Sequence, residues 1–150
     1  MASQRTLVFL DASVLAAASR SLSGGSSIAI EVCQGLRFRA AITNQVLMEA
    51  RINIAEEFGE TELVRFYQQL ASLDPEIVPP PSSKNMAECV PLTTEKDAHV
   101  LAGALECNAA FLLTLDRRHL LRPEVLAAGL PVQVMTPGDF LNGIAFSVPE

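Results

Sequence analysis

Phe111-Leu112-Leu113-Thr114-Leu115-Asp116 is a continuous apolar run that stops on an aspartate, and Leu7-Val8-Phe9-Leu10-Asp11 repeats the pattern near the N-terminus. Both runs are too short to span a membrane. They are apolar on both faces, as a strand must be when helices cover both sides of a parallel sheet. In such sheets ligands bind outside the carboxyl ends of the strands. Two strands ending in Asp would therefore place two carboxylates on one rim.

The rest of the chain supports the same architecture. Helices are expected over Ala12–Ser19, Ile28–Gln34 (capped by Gly35), Thr43 or Asn44 to Phe58, Thr61–Ser72, Thr94–Cys107, Pro123–Ala128 and Pro137–Leu141. Strands are expected at Phe38–Ile42 and Val132–Met135, with Ser21–Ser27 as a flexible turn. The proline-rich stretch Asp74–Pro91, with Pro79, Pro80 and Pro81 in a row, is expected to be extended and to hold one short strand at Glu76–Val78. Strands alternating with helices predict an α/β fold, a three-layer α/β/α sandwich around a central parallel sheet. At 150 residues a single domain is expected.

Composition narrows the function classes. No apolar run approaches the ~18 residues of a membrane span, and no secretory leader is visible, so a soluble cytoplasmic protein without membrane contact is expected. Cys33, Cys89 and Cys107 lack paired spacing, which argues against a disulfide framework or a zinc cluster and for buried free thiols. The formal net charge of −6 argues against a nucleic-acid binder unless acids are gathered on metal ions. Nine of the eleven Lys and Arg residues are Arg, the better partner for phosphate.

Asp11 and Asp116 each have a plain structural reading as well, as a helix N-cap and a turn former. Thr114 lies on the same side of its strand as Asp116. On a helical wheel over Thr94–Cys107, Asp97 falls within the arc of Val100, Leu101, Ala104 and Leu105, where a carboxylate needs a partner or a metal. Capping by Thr94 is the alternative. The same wheel places His99 toward solvent. Glu49 sits on a polar arc with Asn53, Glu56 and Glu57 and is not distinguished by pattern.

These segments together resemble the PIN-domain ribonucleases, which include the VapC-type toxins of toxin–antitoxin pairs. The carrying residues are Val8-Phe9-Leu10-Asp11-Ala12-Ser13, Leu47-Met48-Glu49-Ala50, Asp97-Ala98-His99-Val100-Leu101-Ala102, Leu113-Thr114-Leu115-Asp116 and Met135-Thr136-Pro137-Gly138-Asp139-Phe140. They occur in the family's order along nearly the whole chain. The resemblance implies that Asp11, Glu49, Asp97 and Asp116 form an acidic catalytic and metal-binding pocket, supported by Ser13 and Thr114. It implies Mg²⁺ or Mn²⁺ as cofactor and RNA as substrate, cut at a phosphodiester by metal-activated water. An antitoxin protein and a second copy of the chain are candidate partners. Arg117, Arg118 and Arg122 follow Asp116 and are candidate contacts to the RNA backbone. Two rival readings are a non-catalytic PIN-like binding module and a haloacid-dehalogenase-type phosphatase. The phosphatase requires a second Asp where Ser13 stands.

Overall fold

The structure, a computed structural model, describes residues 5–146. The elements run β1 (Thr6–Leu10), α1 (Ala12–Arg20), α2 (Gly25–Val32), β2 (Phe38–Ile42), α3 (Asn44–Glu57), α4 (Glu60–Leu73), β3 (Glu76–Ile77), α5 (Ser83–Cys89), α6 (Ala98–Glu106), β4 (Phe111–Leu113), α7 (Pro123–Leu126), β5 (Gln133–Met135) and α8 (Pro137–Phe140), closed by a π-helical turn at Leu141–Ala145. The five strands form one sheet in the order β3-β2-β1-β4-β5, and every pairing is parallel. Val8, Phe9 and Leu10 are fully buried, as the absence of alternation in β1 requires.

Strand order reverses between β1 and β4. From β1 the chain builds outward through β2 to β3, and then returns to add β4 and β5 on the other side. The crevice at such a reversal is the binding position in open α/β sheets.

On the face shared by Val8, Ala40 and Phe111, the rings of Phe38, Phe111 and Phe140 meet edge to face at centroid distances of 5.1–6.5 Å. The opposite face carries Phe9, and α6 presses against it. A Cβ at Gly103 would lie 3.0 Å from Phe9 Cζ and 3.4 Å from Thr43 Cγ2, so any larger residue would require the Phe9 ring to give way.

Several boundaries differ from the sequence reading. The serine-rich turn is kept at Ser21–Gly24, but α2 begins already at Gly25, and Ser27 Oγ donates to the carbonyls of Ala18 (2.9 Å) and Ser21 (2.6 Å) and ties α2 to the end of α1. The proline-rich stretch holds the expected strand and also α5. That helix is capped by Ser82, whose Oγ accepts from Asn85 N–H at 3.2 Å, and Glu106 takes the Ser82 N–H (2.8 Å) and Asn85 Nδ2 (2.6 Å). Helix α6 starts at Ala98 rather than Thr94, and β4 ends at Leu113, three residues before Asp116. Cys33 and Cys89 are buried but Cys107 only partly so. Among the described residues no helix is long and apolar enough to cross a membrane.

Candidate active site

Asp11 is the first residue past β1 and caps α1. Its Oδ1 accepts from the Ala12 N–H at 2.8 Å, while Oδ2 accepts from Ser13 Oγ at 2.7 Å and Thr114 Oγ1 at 2.8 Å. The helix-cap reading of Asp11 is realised, and its second carboxylate oxygen is held by two hydroxyls. Asp11 as a whole is only 7% exposed. Burial pushes its pKa above the usual carboxylate value and the nearby Asp116 charge adds to this, while the Ser13, Thr114 and Ala12 donors oppose it.

Ser13 and Thr114 are relays between strand ends. Ser13 Oγ donates to Asp11 and accepts from the Leu115 N–H at 3.0 Å. Thr114 Oγ1 donates to Asp11 and accepts from the Asp116 N–H at 3.0 Å, and this side chain has no exposed surface. The loop after β4 is thus stitched to the loop after β1.

Asp116 folds back on its own turn. Its Oδ1 accepts from the backbone N–H groups of Arg118 and His119, both at 3.0 Å, so the turn-former reading is also realised. Its Oδ2 lies 3.2 Å from His119 Nδ1. Asp97 precedes α6 in a reciprocal bond with Thr94: Thr94 Oγ1 donates to Asp97 Oδ2 at 2.9 Å and accepts from the Asp97 N–H at 3.2 Å. That oxygen is also 3.3 Å from His119 Nδ1.

Asp11, Ser13, Glu49, Asp97 and Asp116 line one cleft of about 330 Å³, joined by Asn53 and Lys96. The four acids come from four separate parts of the chain. Asp97, Asp116 and His119 offer donor atoms that all lie within 4.8 Å of one another, close enough for one cation. The two carboxylates offer oxygen donors to a divalent cation and His119 a nitrogen. Arg117 and Arg118 are exposed beside it, whereas Arg122 Nε is engaged by Glu124 Oε2 at 2.9 Å.

Two histidines were misplaced or missed by pattern. His99 is not solvent-facing: it is 4% exposed, with Nε2 2.8 Å from Glu49 Oε1. The wheel failed because Ala98 to Ala104 is buried on every side, between the sheet and α5, so α6 has no polar face there. His119 went unselected, although an acid three residues before it, in a turn, was the available signal.

No protein-family model matches the sequence, and no curated protein does. Among solved structures the chain is similar to PAE2754 from Pyrobaculum aerophilum, with 16% identity, a TM-score of 0.61, and coverage of 91% of this chain and 94% of that one. It is likewise similar to VapBC2 from Rickettsia felis bound to a DNA fragment from their promoter, with 15% identity, a TM-score of 0.61, and coverage of 86% of this chain and 96% of that one. At such identities the likeness speaks to architecture, and the architecture is a PIN-type, VapC-like fold.

Proposed function

We propose that this chain is a divalent-metal-dependent endoribonuclease that hydrolyses RNA phosphodiester bonds, acting as the toxin of a toxin–antitoxin pair. The observation that carries this reading is the gathering of Asp11, Glu49, Asp97 and Asp116 in one cleft at the strand-order reversal. Like charges ~4 Å apart repel by about 4 kcal/mol at an effective dielectric of ~20, so such a group calls for cations. Mg²⁺ or Mn²⁺ would be held by these acids. When bound, the ion supplies Lewis acidity toward phosphate and activation of water.

The chain's own residues do the positioning. Ser13 and Thr114 hold the Asp11 carboxylate, Thr94 holds Asp97, and the Arg118 and His119 N–H groups hold Asp116. Arg117 and Arg118, both exposed, would take phosphates flanking the scissile bond. A groove of about 620 Å³ lined by Ala16, Arg20 and Phe58 shares Ser13 and Asn53 with the acidic cleft. Two adjoining hollows suit a polymer better than a mononucleotide.

The likeness to VapBC2 supports an antitoxin as partner, and with it a cytoplasmic setting. A second copy of the chain is a further proposed partner. The phosphatase alternative is weakened because Ser13 donates to Asp11 where a general acid would be needed. The non-catalytic alternative would use the same groups differently, with His119 Nδ1 pairing Asp97 (3.3 Å) and Asp116 (3.2 Å) as a purely structural bridge.

Incubation with single-stranded RNA and Mn²⁺ tests the proposal. Cleavage is expected for the unaltered chain and is expected to vanish in Asp11→Asn and Asp97→Asn with melting temperatures preserved. A phosphomonoester should be untouched. Mn²⁺-dependent cleavage surviving in either variant would overturn the assignment.

A further inference from the structure

His119 Nδ1 lies 3.2 Å from Asp116 Oδ2 and 3.3 Å from Asp97 Oδ2. Donors bound ~2.1 Å from one octahedral ion are about 3 Å apart when adjacent in the coordination shell. The two spacings are close to that value.

The imidazole is also held in place from its backbone. The His119 N–H donates to Asp116 Oδ1 at 3.0 Å, and its carbonyl accepts from Thr93 Oγ1 at 2.5 Å. Thr93 belongs to the segment leading to Asp97, so one hydrogen bond couples the two loops that carry the acids. His119 is presented to the gap between them.

Glu49, another residue lining the cleft, also meets an imidazole. The ring nitrogens of His99 make no aligned hydrogen bond, although the ring is almost wholly buried and Nε2 abuts Glu49. A buried imidazole without aligned partners is costly. Glu49 Oε1, 2.8 Å from Nε2, is the group that would satisfy it.

We propose that His119 is a nitrogen ligand of the ion at this centre, completing an Asp97–Asp116–His119 set and shifting its preference from Mg²⁺ toward Mn²⁺. The proposal rests on the metal-dependent reading above and deepens it. Mg²⁺ is a hard ion served by oxygen donors, whereas imidazole suits the first-row transition metals and gives Mn²⁺ an advantage that an all-carboxylate pocket lacks.

Pulsed electron paramagnetic resonance on the Mn²⁺-loaded full chain reads this directly, without any cleavage assay. Nitrogen-14 modulation from a coordinated imidazole is expected in the unaltered chain and is expected to be absent in His119→Asn. Calorimetric titration of the same two proteins should show Mn²⁺ affinity falling about tenfold or more in the variant, with Mg²⁺ affinity changing less than about threefold. Mn²⁺ bound without nitrogen coupling, or an unchanged ratio of Mn²⁺ to Mg²⁺ affinity in the variant, would overturn the ligand assignment and leave the nuclease reading standing. Failure to bind either ion would sink both.

Discussion

Asp11 shows how one side chain serves fold and site together. Its Oδ1 closes the start of α1 and its Oδ2 gathers two hydroxyls from opposite strand ends. Replacing it with Asn keeps the shape and removes a buried charge. Asp11→Asn is therefore expected to melt no lower than the unaltered chain in chelator, and to lose the stabilisation by Mn²⁺. Differential scanning calorimetry with and without the ion checks both halves.

His99 acts at the same scale. His99→Leu should keep the core filled yet lower Mn²⁺ affinity roughly tenfold, because Glu49 loses its neighbour. His99→Gln, which can still donate, should restore part of it, whereas equal losses in both would reduce His99 to packing.

Cys33 gives a pH prediction. Burial pushes its thiol up from 9.0 to about 12. The raised value means the fold favours the protonated form, so this contribution is whole below pH 9 and is lost as pH rises toward 12. Cys33→Ala should accordingly lose less stability than the unaltered chain between neutral pH and pH ~10.5, by order 1–2 kcal/mol at about 1.4 kcal/mol per unit. Parallel denaturant curves at the two pH values measure it.

At the scale of elements, the contact of α6 with β1 is the sensitive point. Gly103→Ala would push a methyl group to 3.0 Å from Phe9 Cζ. Both partners are fully buried, so a loss of about 1–3 kcal/mol is expected, against the small gain that alanine brings to an exposed helix. A Gly103→Ala chain as stable as the original in urea would mean that α6 sits further from the sheet than described.

The elements also show what pattern could reach. Thr43 caps α3 through a 3.2 Å bond to the Val46 N–H, as its position before the helix predicts. Ser82 caps α5 in the same way, yet Pro79, Pro80 and Pro81 just before it masked the helix. Local rules read each segment alone, while α5 is held by Glu106 on a distant helix.

For the whole molecule, the order β3-β2-β1-β4-β5 brings the ends of β1 and β4 side by side. That adjacency, rather than any single motif, turns two separated aspartates into neighbours of one cleft. Ion binding to such a preformed pocket should act on global stability. At one hundred times its dissociation constant, Mn²⁺ would add about 2.7 kcal/mol, or roughly 5–10 °C in melting temperature for a domain of this size. A flat melting temperature across a Mn²⁺ titration would contradict a preformed centre.

The amino-acid sequence by itself determined the buried strands and the α/β alternation, placed Asp11 at the end of β1 and drew attention to Asp97 and Asp116, because hydrophobic periodicity and capping act over a few residues. Glu49 stood out only through family resemblance, since a carboxylate on a polar arc looks the same whether it meets bulk water or a cleft. Tertiary structure alone decided that His99 is buried against Glu49 and that His119 stands between Asp97 and Asp116. Those partners arrive from distant segments, and no local pattern can encode which carboxylate a folded chain will bring to an imidazole.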